Sequence, residues 1–77
     1  MKNETIAEWD VIGLTPYKIR IVESESFPGS FIAQGKRPEA DKWLHWKTLK
    51  GGRPGKEYLE SFDDYLRGGF SDVERTK

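Results

Sequence analysis

Seventy-seven residues, no cysteine and a formal net charge of zero describe one small domain held by packing alone, without a disulfide framework or a thiolate metal site. A single histidine excludes a multi-histidine metal centre and, with no cysteine to activate, a Cys–His nucleophile pair. Three Trp, three Tyr and four Phe supply large apolar area per residue, which is how so short a chain offsets its ordering entropy.

The neutral total conceals an asymmetry. Residues 16–56 carry nine Lys or Arg against four Asp or Glu, and both flanks are acidic. A basic middle between acidic ends points to nucleic acid, although a chain with a third of its residues charged also shows such fluctuations on a solvated surface. No apolar run is long enough for a signal peptide or a membrane span, so a soluble cytoplasmic protein with no membrane partner is expected.

In chain order, Met1–Glu4 reads as a frayed end. Thr5-Ile-Ala-Glu8 has capping-box form, and Ile6, Trp9 and Ile12 recur at helical spacing up to Gly13, which predicts a first helix over Thr5–Ile12. Thr15-Pro16 is a helix start, and a second helix is expected to about Ser24, before Phe27-Pro28-Gly29. A strand competes for this stretch, because Tyr17, Ile19 and Ile21 alternate with Lys18 and Arg20.

Further on, Ser30–Gln34 is short and extended, and Gly35–Lys42 is a loop with room for one helical turn at Pro38–Lys42. Trp43–Leu49 reads as a strand, and Lys50–Lys56 as a basic turn with three glycines and a proline. Glu57–Leu59 would return as the second strand of a hairpin. Ser61 then caps a short helix to Arg67, with Phe62, Tyr65 and Leu66 inward and Gly68-Gly69 as its stop. Residues 1–70 form the domain and 71–77 a polar tail.

Chemistry-bearing constellations are few. His45, near Trp43 and Trp46, reads as a half-buried sheet residue; Asp63 and Asp64 are adjacent on a helix and point about 100° apart. No catalytic residue, metal ligand or cofactor is assigned, and no enzyme is expected. On the second expected helix, Tyr17, Arg20, Ile21 and Ser24 fall on the outward side with Lys18 at its margin, a set suited to a DNA groove. Lys50, Arg53 and Lys56 would project from a glycine-rich wing toward phosphates.

The pieces Ile6-Ala-Glu-Trp9, Gly13-Leu-Thr15, Ser26-Phe-Pro28 and Gly55-Lys-Glu-Tyr-Leu59, in this order, resemble the phage excisionases, or recombination directionality factors, of the MerR-like winged-helix class. The resemblance spans about residues 5–67. It implies an α+β winged helix, with a helix-turn-helix, a β-hairpin wing and a short closing helix. It implies a phage or mobile-element DNA-binding protein, architectural in recombination or regulating transcription. Double-stranded DNA would be the partner, with a recombinase or another protein beside it and cooperative self-association on DNA. Tyr17, Lys18, Arg20, Ile21 and Ser24 would then lie in the major groove and Lys50, Arg53 and Lys56 on the wing.

One departure stands out: nearly thirty residues separate Phe27-Pro28 from Tyr58, and the Trp43–Leu49 segment has no counterpart in that family. The alternative fold is a three-stranded antiparallel sheet packed on one helix. The alternative function is a small phage-encoded protein-binding inhibitor of a host enzyme or defence system, for which many aromatics and a Trp-rich strand are equally apt.

Overall fold

Alternation, not the 3.6-residue period, governs the first half of the chain. In the computed structural model, which describes residues 4–77, Thr5–Val11 is strand β1 and Tyr17–Glu23 is β2. Phe31–Lys36 and Leu44–Leu49 follow as β3 and β4, then the helix α1 over Lys56–Gly69, then a short strand β5 at Val73–Arg75. The expected frayed end falls, at residues 1–3, outside the described residues.

The strands form one antiparallel sheet in the order β4-β3-β2-β1-β5. The first four make a meander of neighbouring hairpins. The chain then crosses from the β4 edge through α1 and adds β5 at the opposite edge, beside β1.

On one face Ala7, Trp9 and Val11 of β1, Ile19 and Ile21 of β2, Phe31 and Ala33 of β3, Leu49 and Val73 form a buried core with Phe62 and Leu66 of α1. The inward positions are every second residue, as pleating requires. The opposite face carries Glu8, Asp10, Lys18, Arg20, Gln34 and Lys36, with an apolar corner where Val22 pairs with Ile32. Val22 is fully buried there, outside the main core cluster.

This architecture corrects the winged-helix expectation. A helix-turn-helix needs two helices, and the described residues hold one, packed on a five-stranded sheet. The expected first helix is β1: its helical spacing of Ile6, Trp9 and Ile12 yields to the strand spacing of Ala7, Trp9 and Val11, whose side chains are the buried ones. The expected second helix is β2, with Ile19 and Ile21 facing inward. Pro16 stands just before the β2 ladder, where its missing N–H breaks no ladder bond. Gly13, with φ of 133°, turns the β1–β2 connection instead of ending a helix.

The wing is absent too. Residues 50–55 link β4 to α1 instead of forming a hairpin tip, and the supposed return strand Glu57–Leu59 lies in the first turns of α1. The alternative of a three-stranded sheet on one helix has the right layers and two strands too few. Pro38–Lys42 makes a turn closed by the Ala40 N–H donating to the Arg37 carbonyl, without a helical segment.

Helix α1 forms because Tyr58, Leu59, Phe62, Tyr65 and Leu66 make one apolar stripe at spacings of three and four. Gly55 precedes it without a side-chain cap, and Glu57 and Arg67 sit at the ends that suit their charges. Ser61, expected as the cap, is interior. Arg67 closes the far end: its Nε donates to Asp63 at 2.7 Å and its Nη1 to the Val73 carbonyl at 2.7 Å, fastening α1 to β5.

Candidate functional site: an aromatic cleft beside an open strand edge

The DNA contact set expected from the sequence is not gathered on one surface. Tyr17 faces the helix side and stacks on Trp46, with ring centroids 5.8 Å apart, and Ile21 is fully buried in the core. Lys18 and Arg20 point to the opposite face. Lys18 reaches Asp10 at 3.3 Å, and Arg20 Nε donates to Gln34 Oε1 at 2.8 Å. Ser24 lies in the β2–β3 turn, where its hydroxyl accepts from the Phe27 N–H. Lys50, Arg53 and Lys56 follow the β4–α1 connection, and Arg53 is engaged by both carboxylate oxygens of Glu4, each at 2.8 Å. The ion pair holds the Glu4 carboxyl below its ordinary pKa and the Arg53 guanidinium above its own.

The two tryptophans of the β4 region diverge. Trp43 lies on the open face beneath two cations, with the Arg20 guanidinium carbon 4.1 Å and Lys36 Nζ 5.3 Å from its ring centre. Partial burial there lowers the Arg20 pKa, against the opposing influence of Glu8. Trp46 turns to the helix side, and a bulge explains its direction. The register slips between Ala33 and Gln34, so that Lys47 pairs with Ala33, His45 with Gln34, and Trp46 is the extra residue. Trp46 and Lys47 consequently share the helix side of the sheet.

Gly35 makes room for this arrangement. A methyl built on its Cα would stand 2.6 Å from Trp46 Nε1 and 2.6 Å from Tyr17 Cε2, so only glycine lets both rings approach the backbone here. The Trp46 indole N–H donates to the Tyr17 hydroxyl at 3.4 Å.

Opposite Trp46, α1 presents Tyr58, Phe62 and Tyr65. Between the two elements lies an open cleft of about 610 Å³, lined by His45, Trp46, Lys47, Tyr58, Ser61, Phe62 and Tyr65. Trp46 and Tyr65 also border a second cavity of about 520 Å³ toward Asp64, Gly68, Gly69 and Phe70. Together they make an aromatic groove along the helix. Tyr65 is 72% exposed, a large ring left to solvent on a helix whose other aromatics are buried, Phe62, or half-buried, Tyr58.

The groove runs beside β4, and among the described residues β4 is an edge strand paired with β3 alone. One set of its backbone donors and acceptors therefore faces away from the sheet. The other edge is different, because β5 has only three residues and Arg67 bonds the Val73 carbonyl.

Sequence reasoning noted Trp43 and Trp46 as a protein-facing strand but missed Tyr58, Tyr65 and Lys47. The Tyr58–Phe62–Tyr65 spacing of four and three was the available signal, once a longer helix was allowed. Among the described residues no group of three His, Cys, Asp or Glu side chains is placed to hold a metal ion, and no helix is long and apolar enough to cross a membrane.

No protein-family model matches the chain, and neither a curated protein nor a solved structure matches it. The resemblance to excisionases therefore has neither a matching family nor the two helices it requires, and the DNA-binding, recombination and transcription-regulating roles drawn from it fall with it.

Proposed function

We propose that the chain is a small protein-binding factor that acts by occupying a partner's surface, in the manner of an inhibitor, and carries out no bond chemistry itself. The observation that carries this reading is the aromatic cleft between β4 and α1, with Trp46, Tyr58, Phe62 and Tyr65 along an open strand edge. Tyr and Trp in a concave, partly desolvated setting supply the large contact areas that dominate protein interfaces. Leaving such rings accessible forgoes burial worth about 25 cal/mol per Å² of apolar surface, which a bound partner recovers. The polar residues lining the main cleft are His45, Lys47 and Ser61 beside Tyr58 and Tyr65, with no carboxylate among them to form a base–nucleophile relay.

Site-specific photo-crosslinking tests it. A benzophenone amino acid at position 65 should give discrete protein adducts in nuclease-treated cell extract, whereas one at the still more exposed Leu14 should not. Trp46→Ala should remove the position-65 adducts. Equal adducts at both sites, or adducts indifferent to Trp46, would defeat the proposal.

A further inference from the structure

We infer that the free edge of β4 accepts an extended, acidic segment of a partner protein as a sixth strand, with alternate apolar side chains of that segment lying in the groove over Trp46, Tyr58 and Tyr65. This rests on the protein-binding reading of the cleft and specifies the partner's chemistry.

Three observations converge. The β4 edge is six residues long, enough for about 20 Å of ladder, and it is the long open edge of the sheet. From Lys42 to Lys50 the chain carries Lys42, His45, Lys47 and Lys50 with no acid among them, so the strip beside the unpaired backbone is basic. All four are exposed. The bulge then places the Lys47 cation and the Trp46 ring on the same side of the strand.

A strand laid against β4 has its side chains alternately on the helix side and on the open side. Those on the helix side meet Trp46 and the tyrosines, which favours apolar residues at every second position. An acid at a helix-side position beside them meets Lys47, and acids flanking them meet Lys42 and Lys50 at the two ends of β4. Asp64 sits on the helix wall at the Gly68–Gly69 end of the groove, so like-charge repulsion keeps acids toward β4 and away from α1.

The same charges argue against a second copy of this chain as the occupant. Edge-to-edge pairing of two β4 strands sets one lysine row against another, and edge lysines are a recognised deterrent to such pairing.

The experiment selects peptides of about nine residues, a strand's length, from a random display library on the immobilised full chain. The selected pool should be enriched in peptides that combine apolar residues at alternate positions with Asp and Glu beside or flanking them. A synthetic peptide from that pool should bind about tenfold more weakly to the Lys47→Glu, Lys50→Glu double variant, and Lys→Gln at both positions should fall between. Both lysines are solvent-exposed, and circular dichroism confirms that the variants fold. Amide hydrogen exchange should slow over residues 44–49 on binding, and backbone N-methylation of alternate peptide residues should abolish the complex.

A neutral or basic pool, affinity unchanged by charge reversal, tolerance of N-methylation, or protection confined to β5 each overturns the acidic-strand proposal. So does concentration-dependent dimerisation through β4 in sedimentation. Position-65 adducts that persist when the strand predictions fail leave the protein-binding role standing, whereas their absence removes both.

Discussion

The indole Nε1 of Trp9 donates a 2.8 Å hydrogen bond to Oδ1 of Asp63, joining the middle of β1 to the middle of α1 across 54 positions of chain. Trp9 is fully buried and its ring lies 5.1 Å from that of Phe62. The other oxygen of Asp63 receives Arg67, whose guanidinium also reaches the Val73 carbonyl. One carboxylate thus fixes the helix to the sheet and, through Arg67, to β5.

Replacing Trp9 by Phe keeps a buried ring but leaves Asp63 without this donor. A hydrogen bond to a charged acceptor is worth about 1.5–3 kcal/mol, so urea unfolding of Trp9→Phe should show a loss of about 2 kcal/mol. Trp9→Ala, which also opens a cavity, should lose about 3–5 kcal/mol. A Trp9→Phe variant as stable as the parent would mean that the bond contributes nothing.

The same carboxylate makes stability depend on pH. Arg67 first, and Trp9 after it, hold the Asp63 pKa below its ordinary value, against the opposing effect of burial. With the folded pKa below the unfolded one, this stabilisation is fully present above the unfolded value of about 3.9. It declines as pH falls through the folded value. Glu4, lowered by Arg53, acts in the same direction from an exposed ion pair. Urea midpoints should therefore drop on acidification below about pH 4, and less steeply in Asp63→Asn. Equal slopes for parent and variant would remove Asp63 from the effect.

Gly35→Ala sets two tendencies against each other. Removing a glycine from a strand interior favours the sheet by about 0.5–1 kcal/mol. The added methyl, however, meets Trp46 Nε1 and Tyr17 Cε2 at 2.6 Å, and displacing two stacked rings should cost about 1–3 kcal/mol. The net outcome expected is destabilisation with a red-shifted Trp46 fluorescence, resolved in a Trp9→Phe, Trp43→Phe background. An unshifted spectrum would show that the rings do not depend on the glycine.

Arg20→Ala tests the open face. It removes the bond to Gln34 and the nearer of the two cations over Trp43, and should cost about 1 kcal/mol while leaving the β4–α1 cleft intact. Arg20→Lys should recover only part of that, because a point charge replaces a planar guanidinium. Thermal denaturation with peptide binding measured alongside separates the two effects. Loss of peptide binding with unchanged stability would place Arg20 in the interface instead.

Much of the second half of the fold was readable. The β4 segment and the Phe62–Leu66 part of the helix follow from local pattern, and Ser30–Gln34 already had the extended character of β3. In the first half the alternation of Tyr17, Ile19 and Ile21 with Lys18 and Arg20 already offered the strand that β2 is, but Thr5-Ile-Ala-Glu8 and Thr15-Pro16 satisfy helix-start chemistry as well as they satisfy strands. Ala7 hides the alternation of β1, being the small member of the inward set Ala7, Trp9 and Val11. What decides for strands is the cross-strand pairing of Trp9 with Ile19 and of Ile21 with Ala33, which lies outside any local window. The true start of α1 was concealed by Gly55, which has no side chain to announce a cap, while Ser61 imitated one six residues later. The cleft depends on a one-residue slip in β4. Nothing in Trp43–Leu49 marks where that slip occurs, so the direction of Trp46 was out of reach.

The return of the chain to β1 has a kinetic consequence. Trp9 pairs with Ile19 ten positions away and with Arg75 sixty-six positions away, so its two neighbours in the sheet are acquired at very different entropic cost. By the logarithmic dependence on loop length, the second closure is dearer by about 1.7 kcal/mol. The four-strand meander can assemble from local hairpins, while the β1–β5 ladder waits for α1 to dock and shorten the effective loop. Unfolding runs in reverse: β5 detaches first, β1 becomes an edge, and its amides should lose protection from hydrogen exchange before those of β2 and β3, which keep partners on both sides.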